Sequence, residues 1–242
     1  MERQAVDFLP LVTTTLSIVF AAVLYRHWRR RPKSIYMFWW MLGVVVYGLG
    51  TLSESLNTLL GWSEPVFRLW YVAGALMGGV FLAQGTVYLL LRRRTANRFT
   101  AGIVAYLAVA TLFVLIVPID HALVEPFHLT GRVMSWQWVR LFSPFVNTYA
   151  LFWLVGGAIW SAVRYLRSRT GSRRRVAGNV AIAVGALLPG IGGSFARFGR
   201  VEVLYVTELL GLALIWFGYR LIVNDPTPSI HPAQAASPAS SS

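Results

Sequence analysis

The chain has 242 residues, 56% hydrophobic and only 13% charged, with a formal net charge of +13 and no cysteine. A soluble domain carries roughly a quarter charged residues. Half that fraction, with the apolar residues in long blocks, excludes an ordinary soluble enzyme and indicates a membrane protein. The absence of cysteine excludes disulfides, thiolate catalysis, cysteine-ligated metal and iron–sulfur clusters.

Apolar runs occupy about 8–25, 35–60, 66–91, 99–117, 139–163, 176–195 and 203–223. Each is long enough for a helix rising about 1.5 Å per residue to cross a hydrocarbon layer of about 30 Å. Barrel strands would be about 10 residues long and strictly alternating, and these runs are neither. The expected fold is all-α: a polytopic membrane protein in which residues 1–223 form a seven-transmembrane-helix bundle. Residues 224–242, rich in Pro, Ser and Ala, read as a disordered cytoplasmic tail.

Orientation follows from the basic residues. One end of the bundle receives Arg26, Arg29, Arg30, Arg31 and Lys33, then Arg92, Arg93, Arg94 and Arg98. It also receives Arg164, Arg167, Arg169, Arg173, Arg174, Arg175 and Arg220, against the single acid Asp225. At the other end Arg3, Arg68, Arg132, Arg140, Arg197 and Arg200 are matched by Glu2, Asp7, Glu64, Asp120, Glu125 and Glu202. The whole charge excess is a topology signal. It makes the basic end cytoplasmic, the N-terminus outside and the C-terminus inside a plasma membrane, and it removes nucleic acid as a partner. The first run is not a cleaved signal peptide on this reading, because its basic residues follow the apolar stretch instead of preceding it.

Two runs carry backbone signals. Gly74 and Gly78 in the third form a GxxxG, expected to serve close helix packing. The sixth holds Gly178, Gly185, Gly190, Gly192 and Gly193 around Pro189, which is expected to kink the outer half of that helix.

Glu54 and Glu208 are the two acids left inside spans, and an ionisable group there costs about 2.5–3.5 kcal/mol on insertion scales. Both sit roughly 8–9 Å below the outer boundary, counting about 1.5 Å per residue. Tyr47, Thr51, Glu54 and Thr58 share one helix face, with Asn57 beside them. Arg140, Ser143 and Asn147 form a similar stripe in the fifth span, and Tyr205 lies a turn outward of Glu208. Arg68 can reach inward to a carboxylate. These positions predict an outward-facing polar pocket with ligand-binding residues Glu54, Asn57, Arg68, Tyr71, Arg140, Asn147, Tyr205 and Glu208. The same groups can instead act as structural hydrogen bonds and a Glu–Arg pair. Gln84, deeper in the third span, reads as interhelical glue.

No span contains lysine, which excludes a retinal Schiff base. His27, His121, His128 and His231 read as loop or tail residues, which excludes intramembrane bis-histidine haem and HExxH zinc chemistry. No catalytic residue, metal site or cofactor is expected, and two carboxylates alone are thin support for an enzyme.

The stretch from Trp39-Trp40 through Glu54, Asn57, Gly61-Trp62 and Phe67-Arg68-Leu69-Trp70-Tyr71 to Gly74 and Gly78 resembles a group of uncharacterised bacterial seven-transmembrane-helix membrane proteins. More loosely, the layout is similar to the seven-helix sensor region of some bacterial histidine kinases. The resemblance covers mainly the second and third spans. It implies a sensor that works through a separate partner, since those sensors continue into a kinase and these 242 residues contain none.

The first expectation is therefore a small-ligand sensor or binding protein. The alternatives are a secondary transporter using the intramembrane carboxylates, and a membrane enzyme or accessory subunit of a membrane complex. Expected partners are the bilayer, anionic lipids at the cytoplasmic arginine clusters, a small-molecule ligand, and either a separate signalling partner or a second copy in a homo-oligomer.

Overall fold

A computed structural model describes residues 5–167 and 172–226. Seven helices in it are long and apolar enough to cross a membrane: α1 (Ala5–Arg30), α2 (Ile35–Leu60), α3 (Glu64–Leu90), α4 (Arg93–Ile116), α5 (Gln137–Arg167), α6 (Arg173–Ala196) and α7 (Val201–Val223). Among the described residues there is no strand beyond two isolated bridges, and the protein is a multi-pass helical bundle. The helices outrun the apolar runs at the basic end, where Arg29 and Arg30 still lie in the last turn of α1. Arginine stems can stay helical there while their heads reach water. The outer surface is apolar, with Ile18, Leu112, Phe152, Trp160 and Phe217 all exposed, as a lipid-facing wall requires.

α1 is built into the bundle. Phe20 stacks on Trp216 of α7 at 5.5 Å, and Thr14 Oγ1 lies 2.9 Å from Thr51 Oγ1 of α2. His27 is a helical residue, contrary to the loop expected for it, and its Nδ1 meets the Tyr219 hydroxyl at 2.7 Å. Gly61, with φ +85°, ends α2, and Gly199, with φ +84°, makes the turn between α6 and α7. Both need the left-handed backbone that glycine adopts without a Cβ clash.

α6 and α7 form the most extensively packed pair. Gly178, Gly185 and Gly192 recur every seventh residue and face Gly218, Gly211 and Leu204, which recur with the same period in the opposite direction. A Cβ on Gly185 would lie 2.6 Å from the Gly211 carbonyl oxygen, and one on Gly211 would lie 2.7 Å from that of Gly185. Lipid tails are as apolar as side chains, so helix association in a membrane rests on such close contact and not on hydrophobic burial. α6 runs as a helix straight through Pro189, whose ring packs against Gly211. The glycines expected to surround a kink are spent largely on this seam.

α3 is interrupted instead, and α5 also carries a π-helical turn, at Phe152–Gly156. α3 is α-helical over Glu64–Trp70, π-helical over Tyr71–Leu76, and turns at residues 77–79 before Val80–Leu90 resumes. The GxxxG is split between two tasks. Gly74 packs on Gly50 of α2, whose added Cβ would lie 2.9 Å from the Gly74 Cα. Gly78 sits in the turn, where a Cβ would meet the Gly74 carbonyl at 2.7 Å. The interruption leaves the Ala75 carbonyl for side chains of α5: Ser143 donates to it at 2.9 Å and Asn147 at 3.5 Å. Irregular backbone at membrane depth is tolerated where protein satisfies it in this way.

The α4–α5 connection, at the end of the bundle away from the arginine clusters and called the outer end below, is a folded cap. Leu129, Val133 and Met134 are buried in one core with Phe67, Tyr71 and Val114. Asp120 N donates to the Val133 carbonyl at 2.8 Å, and Trp62 N to that of Pro126 at 3.0 Å. At the opposite end Asp225, expected in the free tail, is buried: Ser172 donates to its carboxylate, and Arg175 lies 4.0 Å away. The remaining tail, 227–242, lies outside the described residues, as do Glu2, Arg3, Arg169 and His231.

Candidate functional site

The polar face of α2 is divided among three neighbours. Thr51 and Ser55 turn to Thr14 on α1. Thr58 Oγ1 donates to the Asp7 carbonyl at 3.1 Å. Tyr47 crosses the bundle and donates its hydroxyl to the Glu208 carbonyl of α7 at 3.0 Å. Glu54, between these levels, is 3% exposed. Its Oε1 accepts from the indole N–H of Trp70 on α3 at 2.9 Å.

The Glu54 and Glu208 carboxyl groups lie close enough to act on one another. The two acids, one on α2 and one on α7, are thus neighbours across the bundle, where Tyr47 of α2 also bonds the Glu208 carbonyl. Oε2 of each is shielded from solvent and has no hydrogen-bond partner among the described residues. No basic side chain among the described residues bonds to either. Tyr205, 2% exposed, lies beside the pair, in electrostatic range of Asp7 and Glu202 as well. This corner of the bundle is aromatic and acidic.

Asn57 lies one turn outward of Glu54 on the same helix and is fully buried. Neither atom of its amide has a partner among the described residues. A buried polar group in that condition costs about 1–3 kcal/mol.

The other expected pocket residues sit elsewhere. Arg68 does reach a carboxylate, but that of Glu64 one turn away, with Nη2 to Oε1 at 2.6 Å. It also donates to the carbonyls of Val114 and Val117, the second at 2.9 Å, and so ties α3 to the end of α4. Arg140 donates to Gln137 at 2.7 Å. Arg140 and Tyr71 both approach Gly131 of the outer cap, where an added Cβ would lie 3.3 Å from Arg140 Nε and 3.0 Å from a Tyr71 ring carbon. Asn147 is exposed and donates to Ser143 at 3.1 Å, in the seam beside the Ala75 carbonyl. The eight residues therefore form three groups. Glu54, Glu208 and Tyr205 make a buried carboxyl site with Asn57 next to it on α2. Arg68, Tyr71 and Arg140 hold the outer cap, and Asn147 belongs to the α3–α5 seam.

Trp70 escaped the sequence reading. A tryptophan within a span must find an acceptor for its N–H when buried, and its place near the outer end of α3 is the signal that could have paired it with Glu54. Gln84, fully buried in the inner half, behaves as the expected glue. Its Nε2 donates to Thr100 Oγ1 at 2.6 Å, and its Oε1 accepts from Tyr149 at 2.7 Å. Thr100 bonds Tyr88, which bonds Asn97, so the network closes on itself across α3, α4 and α5.

Comparison of the chain with protein-family models, curated proteins and solved structures finds no match.

Proposed function

We propose that this is a plasma-membrane protein, N-terminus outside and C-terminus in the cytoplasm, that binds a small cationic ligand at the Glu54–Glu208 pair and acts as a sensor or binding component. The arrangement of charge supports the orientation, with sixteen basic residues on one set of connections against one acid. The observation that carries the ligand reading is the pair of neighbouring carboxyls, each with a solvent-shielded, unpartnered Oε2 and no basic partner among the described residues. Such a pair has more acceptor capacity than the described donors fill. A small cation seated between them would satisfy both carboxyls at once, and the aromatic faces of Trp70 and Tyr205 suit an ammonium group. Because the pair lies between α2 and α7, seating an ion there changes how these helices are held. That differential contact is what a ligand needs in order to shift a conformational equilibrium.

The test uses purified full-length protein in detergent, titrated with sodium, potassium, ammonium and tetramethylammonium chloride. At least one of these should raise the unfolding temperature and release a proton into unbuffered solution. Glu54→Gln and Glu208→Gln should fold and lose both responses. The reading fails if none of the four acts on the wild type, or if both variants fail to fold, which assigns the pair a structural role.

The interruption of α3 beside Trp70 favours one alternative, a secondary transporter, since discontinuous helices next to intramembrane carboxylates are the usual setting for coupled transport. Cation flux driven by a pH gradient in proteoliposomes, lost in Glu208→Gln, would decide for transport over binding alone.

A further inference from the structure

The arginine-rich end of the bundle contains a cleft unconnected with the carboxyl pair. It has a volume of about 500 Å³ and is lined by Arg174 at the start of α6 and by Phe217, Arg220, Leu221 and Asn224. The four residues from the end of α7 follow at i, i+3, i+4 and i+7, which places them on one helix face. The α6–α7 seam fixes the register. Gly178 packs against the Gly218 carbonyl and Ile222, so Arg174, one turn nearer the α6 terminus, is carried opposite residues 221–224.

The chemistry of the cleft is graded with depth. Phe217 is the deepest of the four on α7 and is 57% exposed, open to the lipid side. Arg220 and Asn224 lie one and two turns nearer the helix end, with Arg174 facing them. Both arginines are exposed, and neither is in an ion pair with any described residue. The nearest acid in sequence, Asp225, is already committed to Ser172 and approached by Arg175. Arg175, next to Arg174 in the chain, shows the contrast: it is 7% exposed, donates to the Tyr165 hydroxyl at 2.9 Å and lies over its ring. One arginine of the pair is consumed in clasping the ends of α5, α6 and α7, and the other is left facing the cleft.

We propose that this cleft is a site for the phosphate headgroup of an anionic phospholipid. Arg174 and Arg220 hold the phosphodiester, Asn224 supplies a further donor, and an acyl chain runs along Phe217. A guanidinium fork recognises phosphate oxygens in a bidentate manner. The apolar floor leading to the lipid face distinguishes a lipid from free phosphate.

The experiment measures thermal unfolding of the detergent-solubilised full chain with added phosphatidylglycerol, phosphatidylcholine or inorganic phosphate. Three proteins are compared: wild type, Arg174→Gln/Arg220→Gln, and the charge-matched control Arg92→Gln/Arg94→Gln, which alters two exposed arginines at the same end. Phosphatidylglycerol should stabilise the wild type and the control alike, and phosphatidylcholine neither. The apparent affinity of the Arg174/Arg220 variant for phosphatidylglycerol should fall on the order of tenfold, as two surface arginines imply. All three proteins should unfold at the same temperature without lipid. Equal losses in both variants would replace the site by diffuse surface charge. Stabilisation by inorganic phosphate matching that by phosphatidylglycerol would overturn the lipid assignment, and so would a wild type indifferent to phosphatidylglycerol.

Discussion

Two polar clusters of the bundle, around Gln84 and around Glu54, are built on opposite principles. Around Gln84 in the inner half, each side-chain donor meets an acceptor: Tyr149 to Gln84, Gln84 to Thr100, Thr100 to Tyr88, Tyr88 to Asn97. Around Glu54 in the outer half, acceptors outnumber donors. Among the described residues only Trp70 donates a side-chain hydrogen bond to the two carboxyl groups, and the amide of Asn57 is left over. A network that closes on itself stabilises the fold and has nothing to offer a ligand. One that stays unbalanced gives up stability, and in a membrane protein that surplus marks where something else binds.

Substitutions can break or sharpen that contrast. The largest effect belongs to neither cluster and sets the scale for a purely structural residue. Gly185→Val puts a branched side chain against the Gly211 carbonyl in the α6–α7 seam. It is expected to abolish the monodisperse folded species on size-exclusion chromatography, because neither helix backbone can yield without losing the whole seam.

Next is Gln84→Leu, which leaves the Tyr149 hydroxyl without its acceptor and takes one donor from Thr100, whose own hydroxyl still bonds Ala96 and Tyr88. Interhelical hydrogen bonds within membranes average about 0.6 kcal/mol each, so the loss of two such bonds and the unpaired groups left behind should total about 2 kcal/mol. It would appear as a lower unfolding temperature with any cation response intact. A change below about 0.5 kcal/mol would mean that the inner network contributes no more than an ordinary surface site.

The smallest effect on stability is expected from Trp70→Phe, which keeps the ring and removes the single N–H donated to Glu54. It should cost about 1 kcal/mol while altering the cation affinity of the pair, since the carboxyl loses its one nitrogen donor. If Trp70→Phe destabilises the protein as much as Gln84→Leu and leaves cation binding untouched, the two clusters are of one kind and the contrast collapses.

Much of this architecture was legible along the chain. Length and apolarity define the seven helices, because a helix that satisfies its own backbone needs nothing from its neighbours to be stable in hydrocarbon. Glu54 and Glu208 stood out for the same reason: an acid in an apolar run is conspicuous without knowledge of its surroundings. The partners of the arginines were not legible. Arg68 pairs with Glu64 one turn away on its own helix, and only the packing of α3 on α4 adds the carbonyls of Val114 and Val117.

The glycines divide along the same line. Their positions in the sixth span were plain, yet a GxxxG or a proline flanked by glycines reads the same whether it packs, kinks or breaks a helix. Seven-residue spacing on both α6 and α7 was present in the sequence, but only their antiparallel register shows that the two rows coincide. The interruption of α3 depended on Ser143 and Asn147 arriving from α5 to take the Ala75 carbonyl.

By itself, then, the sequence determined the number of spans, their apolar character and the depth of the two buried acids, all properties of single helices in a uniform solvent. The tertiary structure decided that those acids are neighbours across the bundle, that Trp70 serves one of them, and that the arginines go to the outer cap and the α3–α4 junction. Each of these depends on which helix stands beside which. That neighbourhood is set by side-chain packing between helices, which no pattern along one chain segment encodes.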